Sequence, residues 1–341
     1  MAPGPPGLPA APGPPPPRPA TIKDVAAAAG VSRQTVTRAV NAMPGINAET
    51  RERVLAAARE LGYRPSRFGR GLVKPPTPTL GLLVEDLTNP YYPELASAVL
   101  RLAAQAGWNV VLAERAAAAG CDDALTTRFG ADVDAVVSFT GLHVPARTDG
   151  LPELPLVEIA PGTRDSAQGR VDLDLSGAIV DGVAHLLGRG VRRPVVLDLA
   201  GGSPRANAFV AAFAQQGVAA ARAALGTADL AGGQETADRV LRGVPGVDAL
   251  VAFNDVTGFG VLRALRLAGV DVPGRVRVLG IDGLAIGSFV TPRLTTLALD
   301  MPAVARAALD VVLALHAGTL APGDPRTRRR VPYRLAVGES T

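Results

Sequence analysis

The chain has 341 residues, a formal net charge of +4, one cysteine and three histidines. That length allows two or three domains with sizeable cores. The lone Cys121 excludes a disulfide framework or a cysteine-based zinc site within one chain, and His143, His185 and His316 lack ligand spacing. No uninterrupted apolar stretch reaches the length of a membrane-spanning helix, so no membrane partner is expected and the cytoplasm is the expected compartment.

The charge is unevenly placed. Residues 1–74 hold eleven Lys/Arg against four Asp/Glu, and the remainder holds 24 against 27. A basic end on a slightly acidic body fits a polyanion, whether RNA, membrane surface or DNA. The first twenty residues are mostly Pro, Ala and Gly, with Arg18 as their only charge. They suit neither a secretory signal nor a transit peptide. They read as a disordered, partly polyproline tail, or as sequence ahead of the true start codon.

The next segment is the most informative. Ile22, Val25, Ala26 and Ala29 form an i, i+3, i+4, i+7 stripe, which predicts a short helix. Gly30 then allows the positive φ that a tight turn needs. Ser32 is a good N-cap for a second helix, with Thr35 completing a partial box. On that helix Val36 and Val40 face inward, which leaves Arg33, Gln34, Thr37 and Arg38 outside. Arginine pairs bidentately with guanine and glutamine with adenine in the major groove, so this face suits base reading. The plainer alternative is an amphipathic helical hairpin with a solvated basic face. Thr50 to Leu61 reads as a third helix, with Val54, Leu55, Ala58 and Leu61 closing a small core and Gly62 ending it.

The run from Thr21 to Leu72 contains Val-Ser-Arg-Gln-Thr-Val-Thr-Arg-Ala-Val-Asn and then Leu-Gly-Tyr-Arg-Pro. It resembles the headpiece of the lac and purine repressor family, and the resemblance continues to the C-terminus. It implies four parts: a tail over 1–20, a helix-turn-helix DNA-binding domain over 21–65, a hinge and linker over 66–78, and a two-lobed domain over 79–341. In the family the hinge forms a short helix in the minor groove and wedges a leucine between base pairs, which Leu72 matches. Gly69 and Gly71 depart from that pattern, each costing roughly 0.8–1 kcal/mol in a helix interior. The free hinge is therefore expected to be unfolded.

Downstream, short apolar strands alternate with helices. The strands are Leu80–Val84, Val110–Ala113, Val133–Phe139, Leu156–Ile159, Pro194–Leu199, Ala249–Phe253 and Val276–Ile281. The helices are Pro93–Ala106, Ser176–Leu187, Ala206–Gln216, Glu235–Leu241 and Gly258–Ala268. Such alternation implies parallel sheets covered on both faces, and about 260 residues favour two α/β lobes with a cleft at the strand C-termini. The resemblance implies a periplasmic-binding-protein-like domain with three crossings, near Val171–Asp174, Leu297–Pro302 and Arg328–Pro332.

The cleft residues are expected at strand ends. Tyr91 and Tyr92, after Asn89-Pro90, match the family's Asn-Pro-aromatic-aromatic signature and suit stacking on a sugar or purine; packing of the first helix is their alternative role. Arg205 sits where the family has Arg-x-x-Gly-Phe, with Ala208 replacing the glycine. Asn254 and Asp282 each follow a strand, while Asp255 reads as an N-cap. The family's Asp-Asp is here Asp282-Gly283, and its aspartate after the fourth strand is here Ala160. Trp108 reads as packing.

The implied function is that of a sequence-specific transcriptional regulator, most simply a repressor. It would bind a pseudo-palindromic duplex operator as a homodimer, with a sugar or nucleoside in the cleft changing DNA affinity. The last strand carries no heptad tail that would build tetramers. No nucleophile–base pair, metal cluster or cofactor motif is visible, so no enzyme is implied. A sugar- or nucleoside-binding protein or enzyme of the same cleft fold is the alternative.

Overall fold

The computed structural model describes residues 21–40, 43–61, 77–115, 132–139, 154–160 and 168–341. The proline-rich tail, Gly62, the hinge with Gly69, Gly71 and Leu72, Cys121 and His143 lie outside the described residues. The chain divides into two compact units, Met1–Thr77 and Pro78–Thr341.

Among the described residues the first unit has three helices, α1 (Ile22–Ala29), α2 (Arg33–Val40) and α3 (Ala48–Glu60). Each start is set by a local polar side chain. The Asp24 carboxylate accepts from the Thr21 N–H and hydroxyl, both at 2.7 Å. Ser32 Oγ accepts from Thr35 N (3.1 Å), and Asn47 Oδ1 accepts from Thr50 N (2.7 Å). These bonds satisfy N–H groups that have no partner within their helix. Gly30 ends α1 at φ 65°, which turns the chain into α2.

The core between the helices is Val25, Ala26, Ala29, Val36, Ala39, Val54, Ala57 and Ala58. Two expectations are corrected here. Leu55 and Leu61 are 36% and 41% exposed, and Ala57 takes the inner place on α3. Leu55 follows Val54 directly and so points about 100° away from it around the helix. On α2 Ala39 is buried, whereas Val40 is only half-buried.

Among the described residues the second unit holds eleven strands in the order β2-β1-β3-β4-β5-β11-β10-β9-β8-β6-β7. The first half comprises β1 (Thr79–Val84), β2 (Asn109–Glu114), β3 (Ala135–Ser138), β4 (Leu156–Ala160) and β5 (Gly169–Asp174), all parallel. The second comprises β6 (Pro194–Leu199), β7 (Ala221–Leu225), β8 (Ala249–Val251), β9 (Arg277–Asp282) and β10 (Thr295–Leu299), again parallel.

The two halves are joined by β11 (Arg328–Ala336). Its first part, Arg328–Pro332, runs parallel to β5, and from Tyr333 onward it pairs antiparallel with β10. The chain also crosses after β5 and after β10, so all three crossings fall in the expected segments. The lobes are two parallel sheets that share this last strand.

Helices cover the sheets. In the first lobe α4 (Tyr91–Gln105) packs on β1 and β2. In the second, α5 (Ser176–Gly188) packs on α6 (Pro204–Gln215), and α7 (Leu230–Gly243) packs on α8 (Asp255–Leu267). After the second crossing α9 (Met301–His316) returns to the first lobe, against α4, β3, β4 and β5. Trp108 packs on it, 4.7 Å ring to ring from His316.

Sequence reading missed α9 and edge strand β7, and it began α7 five residues late. Gly232-Gly233 sits inside α7, where the helices nearly touch. A Cβ on Gly233 would lie 2.2 Å from the Thr257 carbonyl, and one on Gly260 would lie 2.1 Å from that of Leu230. Only glycine permits that approach.

Candidate functional site

The outer face of α2 carries exposed Ser32, Arg33, Gln34 and Arg38. Thr37 is half-buried, and its hydroxyl donates to the Arg33 carbonyl at 3.0 Å. A phosphate oxygen only accepts, so Thr37 in this rotamer has nothing to give it. What remains is lone-pair capacity toward an amino group on a base edge. Ser32 Oγ lies 2.9 Å from Thr35 Oγ1 and is occupied as the cap. Arg33, Gln34 and Arg38 are left as the long free side chains of this face.

In the second unit, the loop after β1 leads into α4. Asn89 Oδ1 accepts from Tyr91 N at 3.1 Å and sets the start of that helix. Tyr91 is buried and Tyr92 half-buried. With Phe139 they form an edge-to-face trio, with centroids 5.1, 6.4 and 6.2 Å apart. Burial, helped by Glu85, pushes the Tyr92 phenol up to about 12.

The opposite lobe supplies charge. Arg205, in the first turn of α6, donates from Nη1 to the Phe253 carbonyl (2.9 Å) and stacks 4.4 Å from the Phe253 ring centroid. Asp282 ends β9 with φ at 120°, a conformation that a side-chain-bearing residue adopts only under strain. It is 7% exposed, and its carboxyl has no hydrogen-bond partner among the described residues. Burial and the neighbouring Asp255 raise its pKa well above the usual carboxylate range, and Arg205 opposes them.

The neighbouring pair Asn254-Asp255 reverses the expected roles. Asn254 is the N-cap of α8, accepting from Thr257 N at 2.8 Å, and its amide lies 3.5 Å from the Ala228 carbonyl. Asp255 is buried inside the lobe instead. It accepts from the Thr296 hydroxyl (2.6 Å) and from Leu284 N (2.8 Å), which ties the loop after β9 to β10. Burial pushes its carboxyl up to about 7 despite those bonds. The reason is positional: α8 begins at Asp255, three residues before the expected Gly258, so the residue before it caps.

Sequence reading also missed Tyr333. It sits on β11 just past the change of pairing, buried, and couples electrostatically to Tyr91. Burial and Asp282 raise its pKa, and Arg205 lowers it. The chain has only four tyrosines, so the gathering of Tyr91, Tyr92 and Tyr333 was the available signal. Ala160 ends β4 beside Asp172, and so offers no carboxylate at that strand end. Among the described residues no group of His, Cys, Asp and Glu is arranged to hold a metal ion, and no helix is long and apolar enough to cross a membrane.

A helix-turn-helix unit followed by a two-lobed α/β unit with a polar and aromatic cleft defines a DNA-binding regulator class, and the comparisons agree. Residues 21–66 match bacterial regulatory proteins of the lacI family, and residues 183–341 match periplasmic binding protein-like domains. The chain is similar to the HTH-type transcriptional regulator reg1 of Streptomyces lividans, at 32% identity over 88% of this chain and 91% of that one. It is also similar to the ribose operon repressor of Halalkalibacterium halodurans, at 29% identity over 94% and 97% of the two chains. Its fold matches a LacI family regulator from Arthrobacter sp. FB24 in complex with lactose, with 29% identity, a TM-score of 0.71, and coverage of 77% and 99%.

The chain therefore belongs to the lacI family. It is a DNA-binding transcriptional regulator with a periplasmic-binding-protein-like second domain.

Proposed function

We propose that this protein represses transcription by binding a pseudo-palindromic operator as a homodimer, and that a sugar in the cleft changes its operator affinity. Arg33, Gln34 and Arg38 read base edges. Ser32 fixes the start of their helix, Thr37 accepts from a base amino group, and Leu72 in the hinge is the minor-groove wedge. The domain division that goes with this reading is a reading head over 21–65, a hinge over 66–78 and an effector domain from 79 onward.

One observation carries the ligand half. Asp282 is buried and strained at a strand C-terminus, its carboxyl has no hydrogen bond among the described residues, and Tyr91, Tyr92, Tyr333 and Arg205 couple to it electrostatically. A carboxyl left so is costly unless something completes it. Vicinal hydroxyls on a small ring complete it, and the tyrosine faces suit the apolar side of such a ring. The ribose repressor and the lactose complex among the relatives favour a sugar over a nucleoside. Asn254 contributes through its second amide hydrogen rather than through its capping oxygen. Asp255 is spent on Thr296 and Leu284, so no second free carboxylate stands beside Asp282, and the protein acts by binding rather than catalysis. Its place of action is the cytoplasm, where its operator is.

The dimer reading rests on an apolar face of the second lobe. Phe289 is 86% exposed, with Ile286 and Leu267 also exposed. They adjoin a groove of about 600 Å³ lined by Phe259, Leu262, Val290, Arg263 and Arg266. A large aromatic beside a groove of matching chemistry suits a two-fold contact in which each copy fills the other.

The test screens ribose, lactose, cellobiose and adenosine by thermal shift, then by their effect on binding to DNA selected from a random pool. At least one sugar is expected to raise the melting temperature of the wild type and not of Asp282→Ala. Selection that returns no inverted-repeat site refutes the DNA half. A shift with adenosine alone refutes the sugar.

A further inference from the structure

The loop after β9 begins at Asp282 and presents three successive N–H groups, those of Gly283, Leu284 and Ala285. Gly283 N reaches Thr296 Oγ1 at 3.3 Å, and Leu284 N reaches Asp255 Oδ2 at 2.8 Å, both acceptors in the same lobe. Ala285 N does something different. It donates to Glu94 Oε1 at 3.1 Å, and Glu94 is 191 residues away in the chain, on the first turn of α4 in the other lobe.

The two ends of this bond are well placed. Glu94 shares its helical turn with Tyr91 and Tyr92, and Ala285 lies three residues past Asp282. The bond therefore links the elements that carry the cleft residues of each lobe. Ala285 is exposed, so water competes for its N–H and the bond breaks and re-forms readily. The acceptor is a carboxylate, so the bond is charge-assisted and stronger than one to a neutral oxygen. Glu94 also raises the pKa of both Asp255 and Asp282, which marks how near its carboxylate stands to the two buried carboxyl groups. Beyond Ala285 a short 3-10 turn, Ala285–Ser288, leads directly to Phe289 on the apolar face.

We propose that Glu94 is a positioning residue that acts as a closure latch: its carboxylate takes the Ala285 N–H when the lobes shut, and the strength of that charge-assisted bond sets how readily the cleft opens. The latch exists without ligand. Its bearing on regulation rests on the proposed cleft function.

Acceptor strength makes the order of variants diagnostic. Glu94→Ala removes the acceptor, whereas Glu94→Gln keeps an acceptor and removes the charge. Amide hydrogen exchange across residues 283–289 is measured on the full chain with no sugar present, and exchange in α9 of the first lobe serves as the folding control. Loss of one hydrogen bond predicts about fivefold faster exchange in Glu94→Ala. A neutral amide oxygen accepts more weakly than a carboxylate, which predicts about twofold faster exchange in Glu94→Gln. The order Ala faster than Gln faster than wild type, with α9 unchanged, supports the latch. No change in Glu94→Ala, or slower exchange in either variant, overturns it. Because no sugar enters this measurement, a failed sugar screen leaves the latch standing, and a failed order leaves the cleft reading standing.

Discussion

Gly233→Ala separates what sequence rules expect from what packing imposes. In a helix interior alanine is favoured over glycine by about 1 kcal/mol, so sequence alone predicts a gain. In the structure the new methyl would sit 2.2 Å from the Thr257 carbonyl oxygen and 2.9 Å from its Cα. Ordinary contact requires roughly 1 Å more, and the obstacle is backbone, so α7 and α8 must move apart. Overpacking of this kind costs about 1–3 kcal/mol, and a rigid obstacle puts this site at the upper end. After the helix gain is subtracted, a net loss of about 2 kcal/mol remains, or about 4–8 °C in melting temperature for a domain of this size.

The displaced turn is the one that holds Asn254 and Asp255, so the sugar response should weaken with it. Gly177→Ala is the control, because a Cβ there meets nothing within 4 Å. It should leave the melting temperature unchanged or raise it by a few degrees, about 1 kcal/mol at most. Calorimetry of the three proteins checks both signs. Gly233→Ala melting at or above the wild type would refute the close-approach reasoning.

Three further outcomes follow from the same structure. Asp255 has a folded pKa of about 7 against an ordinary 3.8, so the native state holds its proton longer than the unfolded chain. Its contribution is fully present below about pH 4 and is lost as pH rises toward 7, by up to about 4 kcal/mol. The melting temperature should therefore fall between pH 5 and 7.5, and a rise over that window would contradict the buried-carboxyl account. Phe289→Asp places a charge on the apolar face and should yield monomers by light scattering with the melting temperature nearly unchanged; an intact dimer would move the interface elsewhere. Arg38→Ala should cost about 1–3 kcal/mol on the selected operator while affecting random duplex much less, and equal losses on both would remove Arg38 from base reading.

Much of the molecule was legible as text. The stripe Ile22, Val25, Ala26, Ala29, the turn at Gly30 and the cap at Ser32 are local signals, and the structure places each where its spacing implied. The buried parallel strands were equally plain, because a strand covered on both faces must be apolar throughout: Thr79–Val84 and Arg277–Asp282 carry that run almost unbroken. Edge strand β7, Ala-Arg-Ala-Ala-Leu, is covered less, needs no such run and went unseen.

Tertiary structure decided the rest. Asn254 and Asp255 are adjacent polar residues at a strand end, and nothing local says which one caps. Asp255 became the buried bridge because Leu284 and Thr296, 29 and 41 residues further on, present donors at its position. Tyr333 entered the cleft only because β11 changes partners there, from β5 to β10. Gly233 lies inside a helix because a second helix passes within contact of it. Periodicity and caps are set by neighbours within a few residues and so are written in the sequence. The partners of a buried charge, and the space beside a glycine, belong to segments that only the folded chain brings together.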